Sequence, residues 1–204
     1  MAHSKPTLAL RGFEIFKGFL DAQAQQMMIA DLRKIMQAAP VFSPQTPQGS
    51  SMSVRMTSAG KFGWFSDAGG YRYIEQHPSG SHWPEIPSRV LDVWSAVSNV
   101  DRAPESCLIN FYGEGVQMGM HRDQNEADMR WPVVSISLGD DGLFRIGGNT
   151  RGGTTESIWL SSGDVVVMGG AARSAYHGVD KIRFKSSRLL PKGGRVNVTL
   201  RVVT

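Results

Sequence analysis

His121 and Asp123 place an imidazole and a carboxylate one residue apart within residues 110–123. On a strand or its exit, residues i and i+2 share one face, so both side chains can reach a single point. That point could be a metal ion. A third ligand is at hand in His177, within Ala175-Tyr176-His177-Gly178. Two histidines and one carboxylate, leaving coordination positions open, describe the facial triad of non-haem Fe(II) oxygenases. A His-x-Asp pair alone also occurs as a surface or hydrogen-bonded pair, so the reading needs a second, independent feature.

Residues 195–202 supply it. Val196, Val198, Leu200 and Val202 fall on one face, and Arg195, Asn197, Thr199 and Arg201 on the other. Such alternation predicts a β-strand. Two placements fit. The strand could lie at an edge with its polar face in water, or its polar face could point into a cavity. In a cavity, two guanidinium groups are costly without an anion, and an arginine fork suits a carboxylate bidentately.

Taken together, Asn110-x-Tyr112, His121-x-Asp123, His177 and Arg195-x-Asn197-x-Thr199-x-Arg201 resemble the signature set of the AlkB family. These are Fe(II)/2-oxoglutarate dioxygenases that remove alkyl groups from nucleobases. Met52-Ser53-Val54-x-Met56-Thr57 and Gly63-Trp64 resemble the family's substrate-covering region, so the likeness runs from about Met52 to Arg201. It implies that His121, Asp123 and His177 hold Fe(II), that 2-oxoglutarate chelates the metal, and that O2 takes the last position. It implies a co-substrate pocket of Asn110, Phe111, Tyr112, Arg195, Asn197, Thr199 and Arg201. There Arg195 takes the distal carboxylate, and Arg201 lies near the chelating end. The implied reaction hydroxylates an N-methyl group, which leaves as formaldehyde beside succinate and CO2, on 1-methyladenine or 3-methylcytosine type lesions in DNA or RNA. The reacting atom is on the pairing edge, so the base must be single-stranded or flipped.

The resemblance also makes residues 50–75 a nucleotide-recognition lid, with Trp64 stacking on the base and Tyr71, Arg72 and Tyr73 on the phosphate side. On the residues alone, aromatics among glycines and cations can grip a nucleic-acid strand or form ordinary cross-strand pairs in a hairpin. Asn125 stands where the family's best-studied bacterial type has an acidic base contact. An amide still hydrogen-bonds to base edges but lacks the charge that favours a cationic methylated base. Arg151 matches a further base-side or phosphate-side contact; otherwise it is a solvated loop arginine. Met168 stands where that bacterial type has a tryptophan behind the iron. Two other readings of the chain remain: an oxygenase directed at tRNA or protein, and a non-catalytic nucleic-acid-binding jelly roll with a structural metal.

The elements that must position these residues are legible in outline. A strand is predicted at 8–10. A helix is predicted over 21–38, with Asp21 as N-cap, an apolar face of Met27, Met28, Ala30, Leu32, Ile35 and Met36, and Pro40 as its stop. A second helix is predicted over 87–97, with Pro87 in its first turn. Short strands follow at 107–112, 116–121, 132–138, 143–146, 155–160, 164–168, 174–177 and 196–202. The chain contains 23 glycines, in keeping with many tight turns. The fold class expected is mainly β with flanking helices (α+β): one domain over residues 1–204 forming a double-stranded β-helix, or jelly roll.

Lys and Arg number 22 against 18 acids, for a net charge of +4, compatible with a polyanionic partner. The single cysteine, Cys107, excludes an internal disulfide and reads as a small core residue. His77 and His82 flank a loop and read as solvated. No long apolar run suggests a membrane span, and the first six residues lack the apolar core of a secretory signal. The expectation is a cytoplasmic monomer.

Overall fold

The structure is a computed structural model describing residues 4–204, so the first three of the N-terminal residues read for a signal lie outside it. Thirteen strands and two α-helices follow one another along the described chain. A seven-stranded antiparallel sheet takes β1 (Leu8–Leu10), β2 (Phe13–Phe16), β11 (Val165–Met168), β8 (Val133–Gly139), β13 (Arg195–Arg201), β6 (Ser106–Tyr112) and β3 (Arg55–Gly60), in that spatial order. A four-stranded sheet takes β10 (Glu156–Leu160), β9 (Asp141–Ile146), β12 (His177–Arg183) and β7 (Met118–His121). A separate two-stranded hairpin joins β4 (Gly63–Asp67) to β5 (Gly70–Ile74). The two larger sheets make the double-stranded β-helix that the strand pattern predicted.

β13 pairs with β6 on one side and β8 on the other, which removes the edge placement. Its two faces meet different surroundings. Val196, Val198 and Leu200 pack with α1 (Ala22–Ala38) and α2 (Ser88–Val97) in one core. Burying side chains of this kind is worth about 1.5–3 kcal/mol each. Arg195, Asn197, Thr199 and Arg201 turn the other way and line a cavity facing the four-stranded sheet. Between the sheets, a second core gathers Phe13, Ile15, Tyr112, Phe144, Ile146 and Met168. Helices therefore cover the outer face of the larger sheet, and the inner face is left for chemistry.

α1 starts where predicted: the Asp21 side chain accepts from the Ala24 N–H at 2.7 Å, a cap worth about 1 kcal/mol. Its buried residues are Met28, Ile29, Leu32 and Ile35, while Met27 and Ala30 are exposed. The apolar face is thus rotated slightly from the predicted one. Pro87 sits at the N-cap of α2, one step before the first turn.

The strand expected at 174–177 is corrected. Residues Gly170–Ser174 form a 3₁₀ turn, and β12 begins at His177 and runs on to Arg183. Its pairing with β9 shifts register between Val179 and Lys181. A bulge breaks the two-residue period by which a strand is recognised. β2 escaped prediction because Phe13, Ile15 and Phe16 are all buried, leaving no alternation to read. Among the described residues, no helix is long and apolar enough to cross a membrane.

Candidate active site

β7 ends on His121 and β12 begins on His177, and the two residues are direct partners across the ladder. Their rings lie 4.6 Å apart between centroids. Asp123 follows two residues beyond the strand end, its Oδ1 4.0 Å from His121 Nε2. One donor atom from each of the three residues lies within 4.8 Å of the others. Both histidines are already oriented. His121 Nδ1 donates to the Gly119 carbonyl at 3.0 Å, and His177 Nδ1 donates to the Ala175 carbonyl at 3.1 Å. A carbonyl can only accept, so Nδ1 carries the proton and Nε2 keeps its lone pair for a metal.

The electrostatics suit a cation. Burial alone would raise the Asp123 pKa, but Arg201, His177 and His121 hold the carboxyl well below the ordinary range. Arg201 donates to Asp123 Oδ2 through Nη2 at 2.9 Å and Nε at 3.2 Å. Burial, then repulsion from His121, pushes His177 down to about 4, leaving it a neutral ligand at pH 7.

Beside the triad lies a narrow cavity of about 40 Å³ lined by Tyr112, Ser135, Leu160, Arg195, Asn197 and Thr199, among others. Arg195 is 1% exposed and has no carboxylate partner. Its Nη1 donates to the Asp140 and Leu160 carbonyls, both at 3.2 Å, and its Nη2 to Ser137 Oγ at 2.6 Å. Arg195 Nε, Asn110 Oδ1 and Arg201 Nη1 are buried without partners. A buried guanidinium with no counter-charge is costly, and burial lowers its pKa. A carboxylate entering the cavity would satisfy it. Asn197 Nδ2 donates to Ser135 Oγ at 2.8 Å, and Thr199 donates to Asn197 Oδ1 at 2.9 Å, so these two brace the wall. Burial pushes the Tyr112 phenol up to about 12, which keeps it a hydrogen-bond donor.

A wider cleft of about 400 Å³ opens on the other side of the triad, lined in part by Met52, Met56, Trp64, Tyr71, Arg122 and Asn125. His121, Asp123, Asn110 and Arg201 line both spaces and His177 the narrow one, so the triad sits where the narrow cavity opens into the cleft. Trp64 and Tyr71 stack, with centroids 5.6 Å apart and planes 21° apart.

The remaining predicted residues fall elsewhere. Phe111 is corrected: alternation along β6 sends Asn110 and Tyr112 into the cavity and Phe111 to the opposite face, under the Arg55 guanidinium. Arg72 pairs with Asp67 at 2.6 Å and lies over Phe65, outside the cleft lining. Tyr73 turns inward and donates to Glu126. Arg151 is on an exposed loop outside the lining of both cavities. His77, read as solvated, is instead buried, against the Pro40 carbonyl at 2.9 Å.

A family profile described as "2OG-Fe(II) oxygenase superfamily" matches residues 12–201. The chain is 47% identical over 199 residues to the alpha-ketoglutarate-dependent dioxygenase AlkB homolog of Caulobacter vibrioides, covering 97% of this chain and 90% of that protein. It belongs to the AlkB family. The Escherichia coli member, named alpha-ketoglutarate-dependent dioxygenase AlkB, is 35% identical over 165 residues, covering 78% of this chain and 76% of that protein. The solved structure of OsALKBH1 superposes with a TM-score of 0.78 at 28% identity, over 96% of this chain and 100% of that one. As an AlkB-family dioxygenase the chain uses Fe(II), 2-oxoglutarate and O2, and the donor set and the unpartnered cavity atoms described above fit both metal and co-substrate. Residues that the sequence did not reveal are Glu126, Arg173, Ser137 and Asp140. Each meets a partner far off in the chain, Arg173 with Glu126 and both Ser137 and Asp140 with Arg195, so no local spacing announces the pairings.

Proposed function

We propose that this protein oxidatively removes methyl groups from nucleobases of single-stranded or flipped nucleic acid. The carrying observation is that the triad lies where a closed, cationic cavity meets an open, aromatic-walled cleft. Nε2 of His121, Nε2 of His177 and a carboxylate oxygen of Asp123 hold Fe(II). Arg195 holds the distal carboxylate of 2-oxoglutarate, with Tyr112 and Asn110 in the same pocket. The bound metal and co-substrate, with O2, supply the oxidation: succinate and CO2 form, and the hydroxylated methyl leaves as formaldehyde.

The chain's own part is orientation and exclusion. The Trp64–Tyr71 stack offers a flat apolar wall for a base. Asn125, on the same cleft, offers an amide to the base edge. Arg201 fixes Asp123 and neutralises charge beside the metal. Relatives named DNA N(6)-methyladenine demethylase in Arabidopsis thaliana and tRNA demethylase in Schizosaccharomyces pombe fit a nucleic-acid substrate. Action as a monomer is part of this reading. A reducing cytoplasm, which preserves Fe(II) and the Cys107 thiol, is part of this reading.

The test is mass spectrometry of oligonucleotides carrying methylated adenine or cytosine, as single- and double-stranded DNA and RNA, after incubation with Fe(II), ascorbate and 2-oxoglutarate. Loss of methyl groups with formaldehyde release is expected. Tight oligonucleotide binding without any methyl loss would replace the demethylase with a binding module.

A further inference from the structure

The carboxylate of Glu126 is almost fully buried and is shared among three donors. Tyr73 Oη donates to its Oε1. Arg201 Nε lies 3.4 Å from that same oxygen. Arg173 Nη2 donates to Oε2 at 2.8 Å. Each arginine then continues to Asp123. Arg201 grips the Asp123 carboxylate at 2.9 Å, and Arg173 Nη1 donates to the Asp123 main-chain carbonyl at 2.7 Å. One carboxylate therefore touches the β4–β5 hairpin on one side and, through two guanidinium groups, both the side chain and the backbone of the metal carboxylate on the other.

The hairpin is paired to neither large sheet. A two-stranded hairpin is marginal by itself in water, so its position depends on its ties. At Ser66 the hydroxyl donates to the Gln45 carbonyl at 2.6 Å. At Ile74 the carbonyl accepts from Trp83 Nε1 at 2.9 Å. At Tyr73 the hydroxyl meets Glu126. The first two lead into neighbouring loops; the third leads to the triad. The same hairpin carries Trp64 and Tyr71, which wall the cleft.

We propose that Glu126 is a positioning residue that couples the placement of the β4–β5 hairpin over the cleft to the placement of Asp123 in the metal centre. The proposal rests on reading the triad as a metal site. It deepens the functional reading: a strand that settles the hairpin also settles a metal ligand, so occupancy of the cleft and readiness of the metal are linked. Such linkage is reciprocal. A metal on Asp123 must therefore steady the hairpin with no nucleic acid present.

That consequence is the test. Native-state hydrogen exchange is followed on the full chain with and without Mn(II) alone. In the wild type, Mn(II) slows exchange of β7 and β12 amides, and slows β4 and β5 amides by about five-fold or more, the lower end of ordinary coupling. Tyr73→Phe keeps the ring and removes the hydroxyl. In it, β7 and β12 still respond to Mn(II), but β4 and β5 do not. Glu126→Ala, which removes the shared acceptor, gives the same pattern; if that variant fails to fold, Tyr73→Phe carries the test alone. A wild-type hairpin that ignores Mn(II), or one that responds equally in Tyr73→Phe, overturns the proposal. A merely structural tie gives that second result, because it shifts exchange with and without metal alike. Should β7 and β12 also ignore Mn(II), the metal site itself falls and the coupling with it. No substrate is used, so failure here leaves the demethylation assay to stand or fall separately.

Discussion

Arg195 shows how much one side chain can say. It is buried, charged and faced only by neutral acceptors, an arrangement that makes sense once an anion arrives. Arg195→Ala should raise the 2-oxoglutarate requirement by an amount on the order of 2–4 kcal/mol. Arg195→Lys should recover only part, since an ammonium cannot reproduce the fork. Gly142 makes a subtler probe. A Cβ there would meet Arg195 Nε at 2.9 Å and its Cδ and Cζ at 3.1 Å, so its three nearest neighbours all belong to Arg195. Gly142→Ala should therefore push the guanidinium aside and give an intermediate requirement. Titrating 2-oxoglutarate against uncoupled decarboxylation measures all three, and an unchanged requirement in Arg195→Ala would take that residue out of the pocket. Asp123 sits under a second constraint. Asp123→Asn and Asp123→Ala should both lose turnover and Fe(II) affinity. Asp123→Ala alone should also melt at lower temperature, because it leaves Arg201 short of a partner. Near-normal turnover by either variant would sink the triad.

At the scale of elements, legibility followed periodicity. β13 was readable because its two faces meet opposite surroundings, helices on one side and cavity on the other. β12 was not, because its bulge interrupts alternation. Phe111 parts from its neighbours Asn110 and Tyr112 because a strand deals alternate residues to opposite faces, so a run of adjacent residues is not one patch. The hairpin belongs here too. Trp64 pairs with Tyr73 and Ser66 with Tyr71 in its register, so the Trp64–Tyr71 stack is a diagonal one. The cross-strand aromatic pair and the cleft wall are therefore the same object. Trp64 lines the wide cleft but not the narrow cavity. Trp64→Ala should weaken binding of a methylated strand by about 1–3 kcal/mol and leave substrate-free decarboxylation of 2-oxoglutarate intact. A lowered melting temperature with unaltered strand affinity would confine Trp64 to packing.

At the scale of the molecule, burial of ionisable groups shapes how stability follows pH. What sequence could not show was which titratable groups end up dry, since that depends on the two sheets closing over them. His177, buried and pushed down to about 4 from 6.5, binds fewer protons folded than unfolded between those values. The apoprotein should thus hold this contribution above about pH 6.5 and lose it progressively as pH falls toward 4, by on the order of 3 kcal/mol in total. Burial shifts Cys107 and Tyr112 the other way, each up to about 12 from 9.0 and 10.0. Their contribution is complete below about pH 9 and is lost as pH rises toward 12. Apoprotein melting temperatures should accordingly be flat from about pH 7 to 9 and fall on both sides. Mn(II) should raise the plateau, because it binds the folded state. It should also steepen the acid limb, because protons compete with the metal for His177. His177→Gln removes the titrating group, so its apoprotein should lose the decline between pH 6.5 and 5 while keeping the alkaline one. Melting curves collected across that range decide the matter: an acid limb equally steep in wild type and His177→Gln would mean that His177 is not the group that titrates.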